Sequence, residues 1–375
     1  MQFRDLKAQY SVIKDDVDEA IGQVISDCNF ISGKQVAELE EKLADFVGVK
    51  HCITCANGTD ALTLALMVWE IGEGDAVFVP DFTFFASGEV VSFEGATPVF
   101  VDVEKSSFNI SPEKLEIAIN KVIEDGKLRP RAIIAVDLFG QPADYPKIRE
   151  IADKYHLMLL EDGAQGFGGK IGEKRACSFG DISTTSFFPA KPLGCYGDGG
   201  AIFTDNDDWA TLIRSYAVHG KGSFKYDNIR IGMNSRLDTI QAAVLKAKFD
   251  QFISFELDAV NEAAVKYTEI LKDIVAVPVI KESFYSSWAQ YSILLENRSV
   301  RDGLQAYLKE QGIPTMVYYP KPMHSQQAFE GLNLYDCDFS NTIELCDRVL
   351  ALPMHPYIQE NDIVKVVENI KKFYR

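Results

Sequence analysis

Five short apolar runs, HCITCA, DAVFVP, TPVFVDV, RAIIAVDLFG and HLMLLEDGA, follow one another between His51 and Ala164. Helix-spaced segments such as DALTLALMVWEI, PEKLEIAINKVIED and YPKIREIADKY separate them. Runs that are apolar at successive positions leave no face for water, so they read as strands buried on both sides. The alternation therefore predicts a mainly parallel sheet between helices, an α/β fold. Two further strand-like runs, ISTTSFF and GAIFT, flank a loop around Lys191 and bring the set to seven.

Ahead of the sheet, Val17, Ile21, Val24 and Ile25 predict one apolar helix face, and KQVAELEEKLADFVG predicts a second helix closed by Gly48. Beyond Asp238 a long helical stretch begins, followed by strand candidates WAQYSILL and TMVYY and helix candidates VRDGLQAYLKEQ and NDIVKVVENIKKFY. A chain of 375 residues exceeds the usual size of one core. The expected division is a large domain over 1–250, with an N-terminal helical arm, and a smaller α+β domain over 251–375.

The net charge of −17 argues against an extended nucleic-acid or anionic-membrane surface and leaves room only for a local anion pocket. No apolar stretch is long enough to span a membrane, and the opening MQFRDLKAQY is too charged for a signal core, so a cytoplasmic protein is expected. The seven cysteines are odd in number and scattered, which does not suit a disulfide framework. Cys52 and Cys55 form a lone CxxC on a strand, where residues three apart face opposite ways, so buried thiols are expected there and no metal.

Ligands of open α/β sheets collect beyond the carboxyl ends of strands. Three such ends carry chemistry. In CANGTDALTLAL, Gly58 permits close backbone approach and Thr59 offers a hydroxyl at a helix N-terminus, which reads as a phosphate cradle or as a plain helix cap. HLMLLEDGAQ delivers Glu161 and Asp162 from an apolar strand, where a carboxylate needs a cation or hydrogen-bond donors unless it caps the next turn. SFFPAKPLGCYGDGGAIF sets Lys191 in an apolar bracket, which lowers an amine's pKa and readies it to attack a carbonyl; Ser186 adds a hydroxyl nearby. Pyridoxal 5'-phosphate calls for this set: a lysine for the aldehyde, a carboxylate for the pyridine nitrogen and a phosphate site. Phe84, in PDFTFFAS, reads as a ring that stacks on the cofactor or as core.

CANGTDAL, PDFTFFAS, LLEDGAQGFGG, TTSFFPAKPLGCYGDGGAIF and IGMNSRLDTIQAA, in this order, resemble the DegT-type sugar-nucleotide aminotransferases, fold type I pyridoxal-phosphate enzymes. The resemblance runs from FRDLKAQY to LPMHPY and implies an aspartate-aminotransferase-like fold. It implies that Lys191 binds the cofactor and moves protons, Asp162 pairs with the pyridine nitrogen and Gln165 approaches the ring hydroxyl. Phe84 would stack on the ring, and Gly58, Thr59 and Ser186 would hold the phosphate. Asn234 would reach the phosphate of a neighbouring subunit, which makes the expected assembly a homodimer with shared sites. Arg236, Tyr319 and His324 are the implied substrate contacts; Arg236 also reads as one half of a surface salt bridge. A lysine rather than a histidine at position 191 implies transamination. KPLGCYGDGG is similar to the members that act on 3-keto sugars. The expected reaction moves the amino group of L-glutamate to the C-3 keto carbon of a UDP-activated N-acetylhexosamine, for surface polysaccharide or lipid A. The alternatives are a 4-keto or dTDP-keto sugar substrate, a dehydratase, or a non-catalytic regulator of the same fold.

Overall fold

The computed structural model describes residues 1–224, 226–332, 335 and 337–375. Its strands are β1 (His51–Cys55), β2 (Asp75–Pro80), β3 (Thr97–Val101), β4 (Arg129–Val136), β5 (Met158–Asp162), β6 (Lys170–Ile171), β7 (Lys174–Arg175), β8 (Ile182–Ser186), β9 (Gly200–Thr204), β10 (Phe284–Tyr285), β11 (Tyr291–Leu294) and β12 (Val349–Leu352). Seven of them form the central sheet in the order β1-β9-β8-β5-β4-β2-β3. β3, β2, β4, β5 and β8 run parallel, while β9 is antiparallel to both its neighbours. The expected α/β architecture is therefore present. The reversal at β9 puts its first residue, Gly200, at the same sheet edge as the last residues of β1, β5 and β8.

The apolar runs are buried on both faces, as their composition requires. Val77, Val79, Ile134 and Leu160 enter one hydrophobic cluster, and Ala76, Phe78, Ile133 and Leu159 enter another. These residues alternate along β2, β4 and β5, so successive side chains serve opposite faces. Each buried large side chain contributes about 1.5–3 kcal/mol relative to exposure, which fixes the strand register.

The N-terminal helix Leu6–Asp27 buries Ile13, Val17 and Val24 and packs on the helix Thr239–Gln251 through Val244. Ile25, expected on that face, is 54% exposed, because it lies a third of a turn from Val24. Gly48 closes the helix Lys34–Val47 as expected, at φ +84° with its N–H bonded to the Ala44 carbonyl. The helix Thr239–Gln251 continues through a π-helical turn, Phe252–Glu256, into Leu257–Leu271, so helical backbone crosses residue 250 without a break. A further cluster joins Val260, Tyr267, Leu304, Val366 and Ile370 to β11 and β12. The run TMVYY does not form a strand: among its residues only Met316 pairs, in a single bridge to Ala351. Pro314 before the run and Pro320 after it frame this short segment, and prolines donate no ladder bond.

Among the described residues no helix is long and apolar enough to cross a membrane, and no group of three or more His, Cys, Asp or Glu is placed to hold a metal. Cys52 and Cys55 are both buried free thiols.

Candidate active site

The carboxyl ends of β1, β5 and β8 meet the start of β9 at one edge of the sheet. Strand alternation sends the two carboxylates at the end of β5 opposite ways. Glu161 turns into the protein and accepts from the backbone of Cys177, Phe179 and Gly180 and from Ser183 Oγ. Asp162 turns the other way, accepting from Ser87 Oγ at 2.7 Å and from the Ala164 N–H at 3.2 Å. It thus caps its own turn and also has a side-chain donor. Burial raises its pKa, opposed by Ser87, Ala164 and the charge of Lys191.

Lys191 lies in the loop that joins β8 to the antiparallel β9, on the Asp162 side of the sheet. A turn bond from its N–H to the Phe188 carbonyl, 2.8 Å, shapes the loop. Burial lowers the pKa of its amine, Asp162 pulls it back up, and Arg4 lowers it further. Burial therefore favours a neutral amine beside a carboxylate, although Phe188 and Ala190 of the expected apolar bracket are themselves exposed.

At the end of β1, Asn57 caps the helix Gly58–Val68 by accepting from the Asp60 N–H at 2.8 Å. The cap is Asn57, which leaves the half-buried Thr59 hydroxyl beside the first free amides. Gly58 abuts β8 so closely that an added Cβ would sit 2.8 Å from Ser186 Cβ, and one on Gly200 would sit 2.5 Å from the Asn57 carbonyl oxygen. Gly58 and Ser186 thus meet at one corner, with Thr59 next along the chain, and the missing Cβ of Gly58 is what lets the two backbones approach.

Gln165 is fixed at one end by the Phe139 N–H, 2.7 Å from its Oε1, and donates from Nε2 to the Tyr319 hydroxyl at 3.2 Å. Burial raises the Tyr319 pKa, and Asp162 adds to the rise. The Tyr319 ring lies 6.3 Å from that of Phe84. Phe84 is 55% exposed, so it is no core residue and presents an open aromatic surface at this site.

Among the described residues, the other expected ones make no hydrogen bond to this group. His324 is held by Asp81, which accepts from its backbone N–H at 2.7 Å and from its ring Nδ1 at 2.6 Å, and it stacks on Phe339. Asn234 is exposed and bridges to Val218. Its neighbour Ser235 accepts from the Ala56 N–H at 3.0 Å, which brings the 234–236 segment beside the Gly58 corner. Arg236 is half-buried. Sequence reasoning missed Ser87, although it lies within the quoted PDFTFFAS, and Arg4, whose guanidinium donates to the Lys191 carbonyl at 3.0 Å. A buried carboxylate's need for a donor was the signal that pointed toward Ser87.

Residues 11–371 match the DegT/DnrJ/EryC1/StrS aminotransferase family. The chain belongs to that family. This aminotransferase is 44% identical to UDP-2-acetamido-2-deoxy-3-oxo-D-glucuronate aminotransferase of Pseudomonas aeruginosa, over 97% of each chain. It is 38% identical to UDP-N-acetyl-3-dehydro-alpha-D-glucosamine 3-aminotransferase of Acidithiobacillus ferrooxidans, over 98% of this chain and 96% of that one. A crystal structure of a DegT DnrJ EryC1 StrS aminotransferase from Brucella abortus superposes with a TM-score of 0.97 at 49% identity, covering 100% of this chain and 99% of that one. The site fits the pyridoxal-phosphate cofactor of such enzymes: an amine held toward neutrality, a buried carboxylate beside it, an open aromatic face, and a corner where a Cβ would collide.

Proposed function

We propose that this aminotransferase takes the amino group of L-glutamate and delivers it to the C-3 keto carbon of a UDP-activated N-acetylhexosamine, using pyridoxal 5'-phosphate. The observation that carries the reading is likeness along the whole chain to two enzymes named for 3-oxo sugar nucleotides. Surface polysaccharide or lipid A is the proposed destination of the product.

The cofactor supplies a protonated ring that accepts electron density while the amino-bearing carbon loses its proton. Lys191 is the proposed catalytic residue; its amine would hold the cofactor aldehyde and would carry a proton to and from the reacting carbon. An uncharged amine is required for both tasks, which the amine's burial supports. Asp162 keeps the pyridine nitrogen protonated, with Ser87 holding the carboxylate in place. Gly58, Thr59 and Ser186 would hold the phosphate, and Phe84 and Gln165 would hold the ring. Tyr319, bonded to Gln165, is the substrate contact with the strongest support; Arg236 and His324 are proposed as further ones. Asn234 is proposed to reach the phosphate held by a second copy of the chain, in a homodimer with shared sites.

The test is the visible spectrum of the purified protein. The expected result is a yellow band that L-glutamate bleaches and a UDP-3-keto-N-acetylhexosamine restores. Bleaching with restoration only by a 4-keto sugar overturns the substrate, and no band after adding pyridoxal phosphate overturns the enzyme reading.

A further inference from the structure

Two cations reach the lysine loop from behind. Arg4, half-buried in the segment before the first helix, donates from Nη2 to the Lys191 carbonyl at 3.0 Å, and its Nη1 lies 3.5 Å from the Ala289 carbonyl. Lys248, 2% exposed on the helix Thr239–Gln251, donates from Nζ to the Gly194 carbonyl. Its ammonium also lies 5.1 Å from the centre of the Tyr196 ring. The Lys191 and Gly194 carbonyls belong to one tight turn, so compact that a Cβ on Gly194 would lie 2.6 Å from the Pro189 carbonyl oxygen.

Burying a lysine head is costly, and a surface lysine keeps its charge in water. Here the buried head is spent on a loop carbonyl. One buried acid, Glu256, balances the two cations from the π-helical turn, and Gln9 and the Tyr357 hydroxyl donate to it at 2.7 and 2.8 Å. The N-terminal segment, the Lys248 helix and the π turn thus converge on the back of the Lys191 loop.

We propose that Arg4 and Lys248 are positioning residues that clasp the Lys191 loop by two of its carbonyls and so hold the Lys191 side chain toward Asp162. This rests on the reading of Lys191 as the cofactor lysine. Arg4 has a second effect, because a positive charge at the back of the loop disfavours a second one on the amine. The charged groups that act on that amine are Asp162, which favours its protonation, and Arg4, which opposes it. Arg4 itself faces Glu256 and Tyr318, and Lys248 faces Glu256, Arg4 and Cys195, with burial lowering the Lys248 pKa to about 8. The division of labour follows: Lys248 restrains the backbone, whereas Arg4 restrains it and also biases the charge.

The full-length chain freed of cofactor is trace-labelled with acetic anhydride across a pH series, and the Lys191 peptide is quantified by mass spectrometry. Hydrogen exchange of residues 188–196 is followed in parallel. Arg4→Met is expected to slow Lys191 labelling at pH 8 by about threefold, as its amine holds a proton to higher pH, with Arg4→Lys restoring most of the rate. Lys248→Met is expected to speed exchange of the loop by about threefold or more without moving the labelling midpoint as far. If Met is not tolerated at 248, Lys248→Gln is read the same way. Unmoved loop exchange in Arg4→Met overturns its clasp and an unmoved labelling midpoint its effect on charge, and unmoved loop exchange in the position-248 variant overturns the role of Lys248. A wild-type chain that labels normally but gives no yellow band with pyridoxal phosphate overturns the cofactor reading instead.

Discussion

Ser87 Oγ and Asp162 Oδ2 lie 2.7 Å apart, two buried atoms brought together from the helix Ala86–Phe93 and the end of β5. The hydroxyl donates to a carboxylate whose pKa burial has already raised, so it favours the charged form that the proposed mechanism uses. A hydrogen bond to a charged group is worth about 1.5–3 kcal/mol. Ser87→Ala is therefore expected to lower kcat/KM about tenfold to a hundredfold and to move the acid limb of the pH profile upward. Asp162→Asn is expected to cost more and to abolish that limb; steady-state kinetics over a pH series would show both.

Gly58 gives a test of the corner beside Ser186. A methyl group there would stand 2.8 Å from Ser186 Cβ, on a strand end with little room to shift. Overpacking of this kind costs about 1–3 kcal/mol. Gly58→Ala is expected to weaken pyridoxal-phosphate binding about tenfold in an absorbance titration, with the cofactor-free chain also melting a few degrees earlier. Unchanged cofactor affinity would remove Gly58 from the binding site.

Behind the sheet edge, Asp137 and Glu161 form a buried acid pair. Asp137 Oδ1 accepts from the Tyr145 hydroxyl at 2.8 Å and from the Ala143 N–H at 3.1 Å, while its Oδ2 has no donor among the described residues. Burial, with Glu161 adding, pushes the Asp137 pKa well above the usual carboxylate range. The raised pKa favours the protonated form of Asp137, whose O–H then needs no donor. A folded pKa above the unfolded one means that this stability is present below the ordinary carboxylate range and is lost as pH rises through the raised value. Asp137→Asn mimics the protonated acid and is expected to melt higher than wild type at pH 9, with the gap closing toward pH 4. Equal melting at both pH values would mean the pair holds no proton.

His324 and Asp81 supply a further test. Burial raises the Asp81 pKa and the His324 hydrogen bond pulls it down. His324→Ala removes the ring donor but keeps the backbone one, so the expected loss is about 2 kcal/mol, as urea unfolding of the variant beside the wild type would show.

Much of this was legible from residue order alone, for identifiable reasons. The apolar runs of β2, β4 and β5 revealed a sheet covered on both faces because each run spans its own strand. Lys191, Asp162 and Gly58 stood out because each combines an unusual residue type with a strand end. What stayed hidden are pairings between distant positions. Ser87 and Asp162 are 75 residues apart, Arg4 and Lys191 187, and His324 and Asp81 243. The sequence offered Glu161 and Asp162 side by side, and the packing of Cys177, Phe179 and Ser183 around Glu161 turns that side chain away from Lys191. TMVYY misled for a related reason: β composition marks a fit to a pleated surface, and no neighbouring strand lies alongside it beyond one bridge.

β1 sits at the rim of the sheet, and its sole strand neighbour is β9, the last of the seven to be made. On the ribosome, residues 51–55 must therefore wait for 200–204 before their backbone finds a strand partner, which gives this edge a high contact order. The proposed phosphate corner hangs from β1 through Asn57 and Gly58. It comes together only when that late pairing is made, so cofactor capture belongs to the end of folding and cannot guide its beginning.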